Sequence, residues 1–299
     1  MDDSMKQLCV DISFSALNIL LHITCAILLL HVYQKQNASK TQKLALLNLS
    51  IAELARNIYV FIGSIMLVTV GKNLIMFCIF RILLLCIYLN YIFAMFFIMA
   101  DRLAASVLNI RYIIVCTTCK TKTVILCTWF FSFLVTPLIF SVLYARSGSK
   151  YVYEAIDNNL PYIGITLQMM FLVFSVTSYT IIFAVFVRSR RRSTLSQQSL
   201  FQFFTRSNFY AALLLISTFV VLQGIPGIMW VYMILRQDYN NTLVYFITIL
   251  LSLSDTVDGI IYILLYSPVR NALLAKTTVF HRRCKRRNRP QTKVLRISM

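Results

Sequence analysis

Seven long apolar stretches decide what this chain can become. They lie at roughly 12–34, 44–70, 74–101, 123–144, 161–187, 204–235 and 241–266 of the 299 residues. A helix needs about 20 consecutive apolar residues to cross the hydrocarbon of a bilayer. A spanning segment must also satisfy its own backbone hydrogen bonds, which leaves helices and closed barrels. No stretch alternates polar and apolar residues at period two for long enough to suggest a membrane barrel. The chain therefore reads as all-α, a bundle of seven transmembrane helices joined by short connections. With 59% hydrophobic and 13% charged residues, it has more apolar surface than a soluble domain of this length needs. The acidic start, Met1-Asp2-Asp3-Ser4, lacks the basic region of a signal peptide, so the first apolar segment is expected to stay in the mature protein.

Orientation follows from lysine and arginine in the connections, which favour the cytoplasmic side. With the amino terminus outside, most of the 29 basic residues fall inside. They include Lys35, Lys40 and Lys43, then Arg111, Lys120 and Lys122, then the run at Arg188, Arg190, Arg191 and Arg192, then the tail from Arg270 to Arg296. Asp101 is the single acid among these inner segments, whereas the outer ones mix both signs. Residues 1–11 then form a short extracellular terminus, 12–266 the bundle and 267–299 a cytoplasmic tail.

The tail sequence His281-Arg282-Arg283-Cys284-Lys285-Arg286-Arg287 would suggest a nucleic-acid or nuclear-localisation patch in isolation. After a last membrane span it is expected to lie against anionic lipid instead. Cys284 within it is a candidate for S-palmitoylation. Cys116 and Cys119 have CxxC spacing, but no second pair completes a zinc site. Asn240 begins a glycosylation sequon on the outer side, close to a helix start, while the sequon at Asn37 falls inside and should be silent.

One segment carries unusual chemistry. At the end of the third span, Asp101 and Arg102 stand side by side, and Tyr112 follows ten residues after the arginine. An acid and a base at a membrane exit are costly unless each has a partner. A second group of charges lies within the apolar stretches: Glu53 and Arg56 in the second, Asp255 and Asp258 in the seventh. Three residues apart on a helix, Asp255 and Asp258 share a face.

The order and spacing of these motifs resemble the rhodopsin-like (class A) G-protein-coupled receptors. Asp101-Arg102-Leu103 is similar to the Asp-Arg-Tyr motif. Leu46-Leu47-Asn48-Leu49-Ser50-Ile51-Ala52-Glu53 is similar to the second-helix motif, with Glu53 for the usual aspartate. Asn18 fits the first-helix asparagine, Trp129 the fourth-helix tryptophan and Tyr179 the fifth-helix tyrosine. Gln223-Gly224-Ile225-Pro226 sits where that family has Cys-Trp-x-Pro, and Asp258-Gly259-Ile260-Ile261-Tyr262 where it has Asn-Pro-x-x-Tyr. Tyr266-Ser267-Pro268 sits at the start of a short inner eighth helix.

The resemblance implies a plasma-membrane receptor that couples an extracellular small molecule or short peptide to a heterotrimeric G protein. At rest Asp101 would hold Arg102; on activation Arg102 would turn toward Tyr179 and Tyr262 and open a cleft for a G-protein helix. The resemblance also implies a mid-membrane site at Glu53 and Asp258, with Asn18, Tyr91, Ser254 and Asp255 beside it. Three carboxylates so close cannot all stay ionised without cations. Two readings remain open: Arg56 supplies the counter-charge, or the cluster holds a sodium ion or a proton. The ligand pocket implied between the outer helix halves would be lined by Arg81, Leu84, Leu85, Tyr88, Gln168, Gly227, Trp230, Thr248 and Ser252. Leu84 at the amine-binding position disfavours a biogenic amine, and Ser252 at the opsin lysine position excludes a retinal Schiff base.

Some positions depart from that pattern. Gly224 replaces the sixth-helix tryptophan, and Gly259 the seventh-helix proline. The stretch 145–160, expected as the second outer loop, has no cysteine, so Cys78 lacks the family's usual disulfide partner; Cys9 could bridge it instead. Two other classes compete. An ion-coupled transporter or channel could use Glu53, Asp255 and Asp258, but such folds show repeats and broken helices that this sequence lacks. An intramembrane enzyme needs clustered ligands or a nucleophile, and the three histidines, His22, His31 and His281, are dispersed.

Overall fold

The computed structural model describes residues 3–35, 40–69, 74–108, 112–192, 214, 217–218, 220–236 and 241–265. Among these there are seven α-helices and no strand. They are α1 (Asp3–Lys35), α2 (Lys40–Thr69), α3 (Leu74–Leu108), α4 (Tyr112–Val115), α5 (Thr118–Arg192), α6 (Ile225–Arg236) and α7 (Asn241–Leu265). Five helical segments are long and apolar enough to cross a membrane: Leu8–Gln34, Lys40–Met66, Ile79–Ala105, Thr118–Val142 and Thr242–Ile263. Two shorter apolar segments, Met169–Val185 and Val221–Met233, accompany them. The protein is thus a helical membrane protein. The segment 193–213, the connection 237–240 with Asn240, and the tail with Cys284 lie outside the described residues.

Helix ends follow local chemistry. Thr117 caps α5 by accepting the backbone N–H of Lys120 at its side-chain oxygen, 3.4 Å away. Before α6 the chain widens into a π-helical turn, Val220–Gly224. Pro226 explains it, because a proline offers no N–H and its ring clashes with the carbonyl four residues back.

The stretch 145–160 is helical. No proline lies between Pro137 and Pro161 to interrupt it, and Gly148 is its single glycine. Yet α5 cannot be straight. Phe131 stands edge-on to Phe93, with ring centroids 6.0 Å apart. Phe171 stands edge-on to Phe96, one turn along α3, at 4.9 Å. Forty residues of straight helix would separate the two α5 phenylalanines by about 60 Å. The chain of α5 therefore turns back on itself between Val142 and Thr166, and its two apolar limbs pack beside α3.

The core is built where α1, α2, α3 and α7 meet. Leu28, Leu29, Leu49, Tyr91, Met99 and Tyr262 belong to one buried cluster, which the second limb of α5 joins through Phe171. The outward faces carry exposed Leu20, Ile27, Leu126, Phe130, Leu134 and Leu138, the pattern expected of helices whose solvent is lipid.

Candidate functional site: a buried polar junction and an ionic clasp

Two polar constellations lie inside this apolar bundle. The first is at the C-terminal end of α3. The Asp101 carboxylate accepts hydrogen bonds from Nε and Nη2 of Arg102, the former at 3.1 Å. Its other oxygen accepts the hydroxyl of Tyr112 on α4, and that hydroxyl lies 3.0 Å from Oγ1 of Thr41 on α2. Asp101 is almost fully buried, with 4% of its side chain exposed against 17% for Arg102, so its charge depends on these donors. Burial first, and then the Asp101 charge beside it, push the Tyr112 phenol above its ordinary range. The phenol keeps its proton and serves as a donor.

Tyr179 on α5 and Tyr262 on α7 carry buried hydroxyls with no hydrogen-bond partner among the described residues. Arg102 is near enough for its charge to be felt at Tyr179. An unpaired buried hydroxyl costs about 1–3 kcal/mol, so both phenols are ready to accept a donor.

The second constellation lies where α1, α2, α3 and α7 converge. Arg56 forms an ion pair with Asp255, and its guanidinium also sits over the Tyr91 ring, 4.3 Å from the centroid. Asn57 donates to the other Asp255 oxygen at 3.1 Å and to the Glu53 carbonyl at 2.9 Å. Asn18 donates to Asn57 Oδ1 and to the Ser252 carbonyl, each at 3.2 Å, and accepts the Thr256 hydroxyl at 2.7 Å. Gln223, presented by the π-helical turn, donates to Tyr91 at 2.6 Å and to Ser254 at 3.2 Å. Thr218 donates to Asp258 at 3.4 Å. On the other side His22 places Nδ1 3.1 Å from Glu53 Oε2 and Nε2 3.2 Å from the Asp255 carbonyl.

The expected residues Asn18, Glu53, Arg56, Tyr91, Ser254, Asp255 and Asp258 thus come together. Sequence reasoning missed His22, Asn57 and Gln223 as members. The guanidinium pairs with Asp255, and its charge is felt at both Glu53 and Asp258.

The residues expected to line a ligand pocket are less united. Leu85 packs with Leu89 and Phe140 in a separate apolar cluster. Tyr88 leans toward the polar junction, its ring 6.4 Å from that of Tyr91. Thr248 donates to the Val244 carbonyl of its own helix, and the Ser252 carbonyl is engaged by Asn18. Gly227 is buried; Arg81, Leu84 and Trp230 are half-buried. The Gln168 side chain lies outside the described residues, as does that of Cys78, while Cys9 is an exposed free thiol.

Two motif residues read separately from the sequence meet directly. Trp129 Nε1 on α5 donates to Asn48 Oδ1 on α2 at 2.9 Å. No protein-family model and no curated protein matches this chain.

Proposed function

We propose that this protein is a seven-span cell-surface receptor of the rhodopsin-like kind, with its amino terminus outside, that activates a heterotrimeric G protein. The observation that carries the reading is the clasp on Asp101: Arg102 and Tyr112 hold its carboxylate at the C-terminal end of α3, while Tyr179 and Tyr262 carry buried hydroxyls with no hydrogen-bond partner among the described residues. In the clasped state the inner end is closed. When an extracellular small molecule or short peptide shifts the helices, Arg102 leaves Asp101 and donates to the two phenols, which exposes a cleft for a G-protein helix. The π-helical turn supports a route inward, since Gln223 links it to Tyr91 and Ser254. Arg56 is a tethered counter-ion for the buried acids, so the resting junction needs no sodium.

Arg102→Ala should abolish G-protein coupling in cells, measured with surface expression unchanged. Wild-type coupling to no G protein at all, with or without candidate ligands, would sink the reading. The polybasic tail would hold the inner surface against anionic lipid.

A further inference from the structure

His22 and Glu53 face each other with no exposed side-chain surface on either. The imidazole Nε2 lies 3.2 Å from the Asp255 carbonyl oxygen. A carbonyl can only accept, so this nitrogen carries a hydrogen. Nδ1 is then left 3.1 Å from Oε2 of Glu53, and neither atom has a hydrogen-bond partner among the described residues. A neutral imidazole beside an ionised carboxylate would press two lone pairs together in an apolar interior, which is repulsive and leaves both groups unsatisfied. One added proton removes the conflict. On Oε2 it makes an O–H donor to Nδ1; on Nδ1 it makes an N–H donor to the carboxylate.

The local charges point the same way. Glu53, Asp255 and Asp258 share one guanidinium, that of Arg56, and it is paired with Asp255. Asp258 stands close enough to Glu53 for its charge to act there, so a further acid crowds the pair. Among the described residues, the other titratable groups facing the pair are Cys25 on α1, Tyr91 on α3 and Tyr262 on α7; none of these brings a positive charge.

We propose that His22 and Glu53 form a buried proton-binding site, whose ligand is a single proton held between Nδ1 and Oε2. The site joins three helices, because His22 belongs to α1, Glu53 to α2 and the Asp255 carbonyl to α7. Proton loss restores the repulsion and parts α1 from α2, so the proton is the pin of this junction. Nothing in the assignment depends on coupling to a G protein.

The chain suits a direct test because it has two glutamates, Glu53 and Glu154, and three histidines. Solid-state NMR of the full chain in lipid bilayers near neutral pH, with 15N-histidine and 13C-carboxyl glutamate, should show one histidine–glutamate dipolar contact. Within that contact either the carboxyl is protonated or the imidazole carries both hydrogens. A contacting pair made of an ionised carboxylate and an imidazole with bare Nδ1 would overturn the proposal, and so would spectra with no histidine–glutamate contact. The experiment reads a proton rather than signalling, so its failure is distinct from failure of the receptor reading.

Discussion

Tyr112 and Arg56 are the two residues whose removal says most about the two constellations. Tyr112→Phe deletes one hydroxyl that donates to Asp101 and touches Thr41, at a cost of about 1–2 kcal/mol. The phenol is held above its ordinary value of about 10, so the folded state binds its proton more tightly than the unfolded one. Its contribution is complete below that ordinary value and is lost only as pH climbs through the raised one. The Tm difference between wild type and Tyr112→Phe should therefore stay constant from pH 6 to pH 9, and ligand-independent signalling should rise in the variant. Arg56→Ala leaves Asp255 buried without its cation, a loss on the order of 3–5 kcal/mol, read as a lower Tm of the purified protein. Asp255→Asn in the same chain should recover much of it. Exchanging sodium for choline in the buffer should leave the wild-type Tm unchanged; a sodium-dependent rise would show that the ion has a place there after all.

At the level of helices, the contact of α1 with α7 depends on Gly259. A Cβ there would stand 2.3 Å from Cδ2 and 2.6 Å from Cγ of Leu21, so the Leu21 side chain would have to shift to admit one. This glycine lets α1 lie against α7, where the Cys25 thiol donates to the Gly259 carbonyl at 3.5 Å and His22 meets the Asp255 carbonyl one turn earlier. Gly259→Ala should lower stability by about 1–3 kcal/mol, and Leu21→Ala should relieve the clash, as a thermal-melt double-mutant cycle would measure. The sequence showed Gly259 only as a replacement for the seventh-helix proline; its neighbours give it the role of a close-approach point. What was legible beforehand depended on distance along the chain. Asp101, Arg102 and Tyr112 are neighbours in sequence, and the acids stand out against apolar helices. His22 and Asn57 were within reach of pattern reasoning, since each lies four residues after a recognised member, Asn18 and Glu53, on the same helical face. Gln223 was not, because its aim depends on the π-helical turn that Pro226 imposes. Nor was the course of α5, where an outer loop was expected and the chain remains helical while reversing.

For the whole molecule, the proposed orientation places the exposed thiols Cys9 and Cys119 on opposite sides of the membrane. After mild reduction, a membrane-impermeant maleimide should label Cys9 on intact cells and reach Cys119 only after permeabilisation. Labelling of Cys119 on intact cells would reverse the topology. The lipid-facing limb of α5 and the buried junction differ in kind. The limb finds an apolar solvent at once, whereas the junction is satisfied only when all its helices have gathered.

The Arg56–Asp255 pair gives that difference a consequence for synthesis. Lys40–Met66, the segment carrying Arg56, has a mean hydropathy of 1.3, the lowest of the five long ones. Each unpaired charge at a helix centre opposes insertion by about 2.5–3.5 kcal/mol. Its partner leaves the ribosome about 200 residues later, on the order of 10–40 s at ordinary elongation rates. During that interval α2 is the helix least able to remain in lipid by itself, so the insertion machinery must shelter it until α7 arrives. A nascent chain cut short before α7 would present an orphan arginine to membrane quality control.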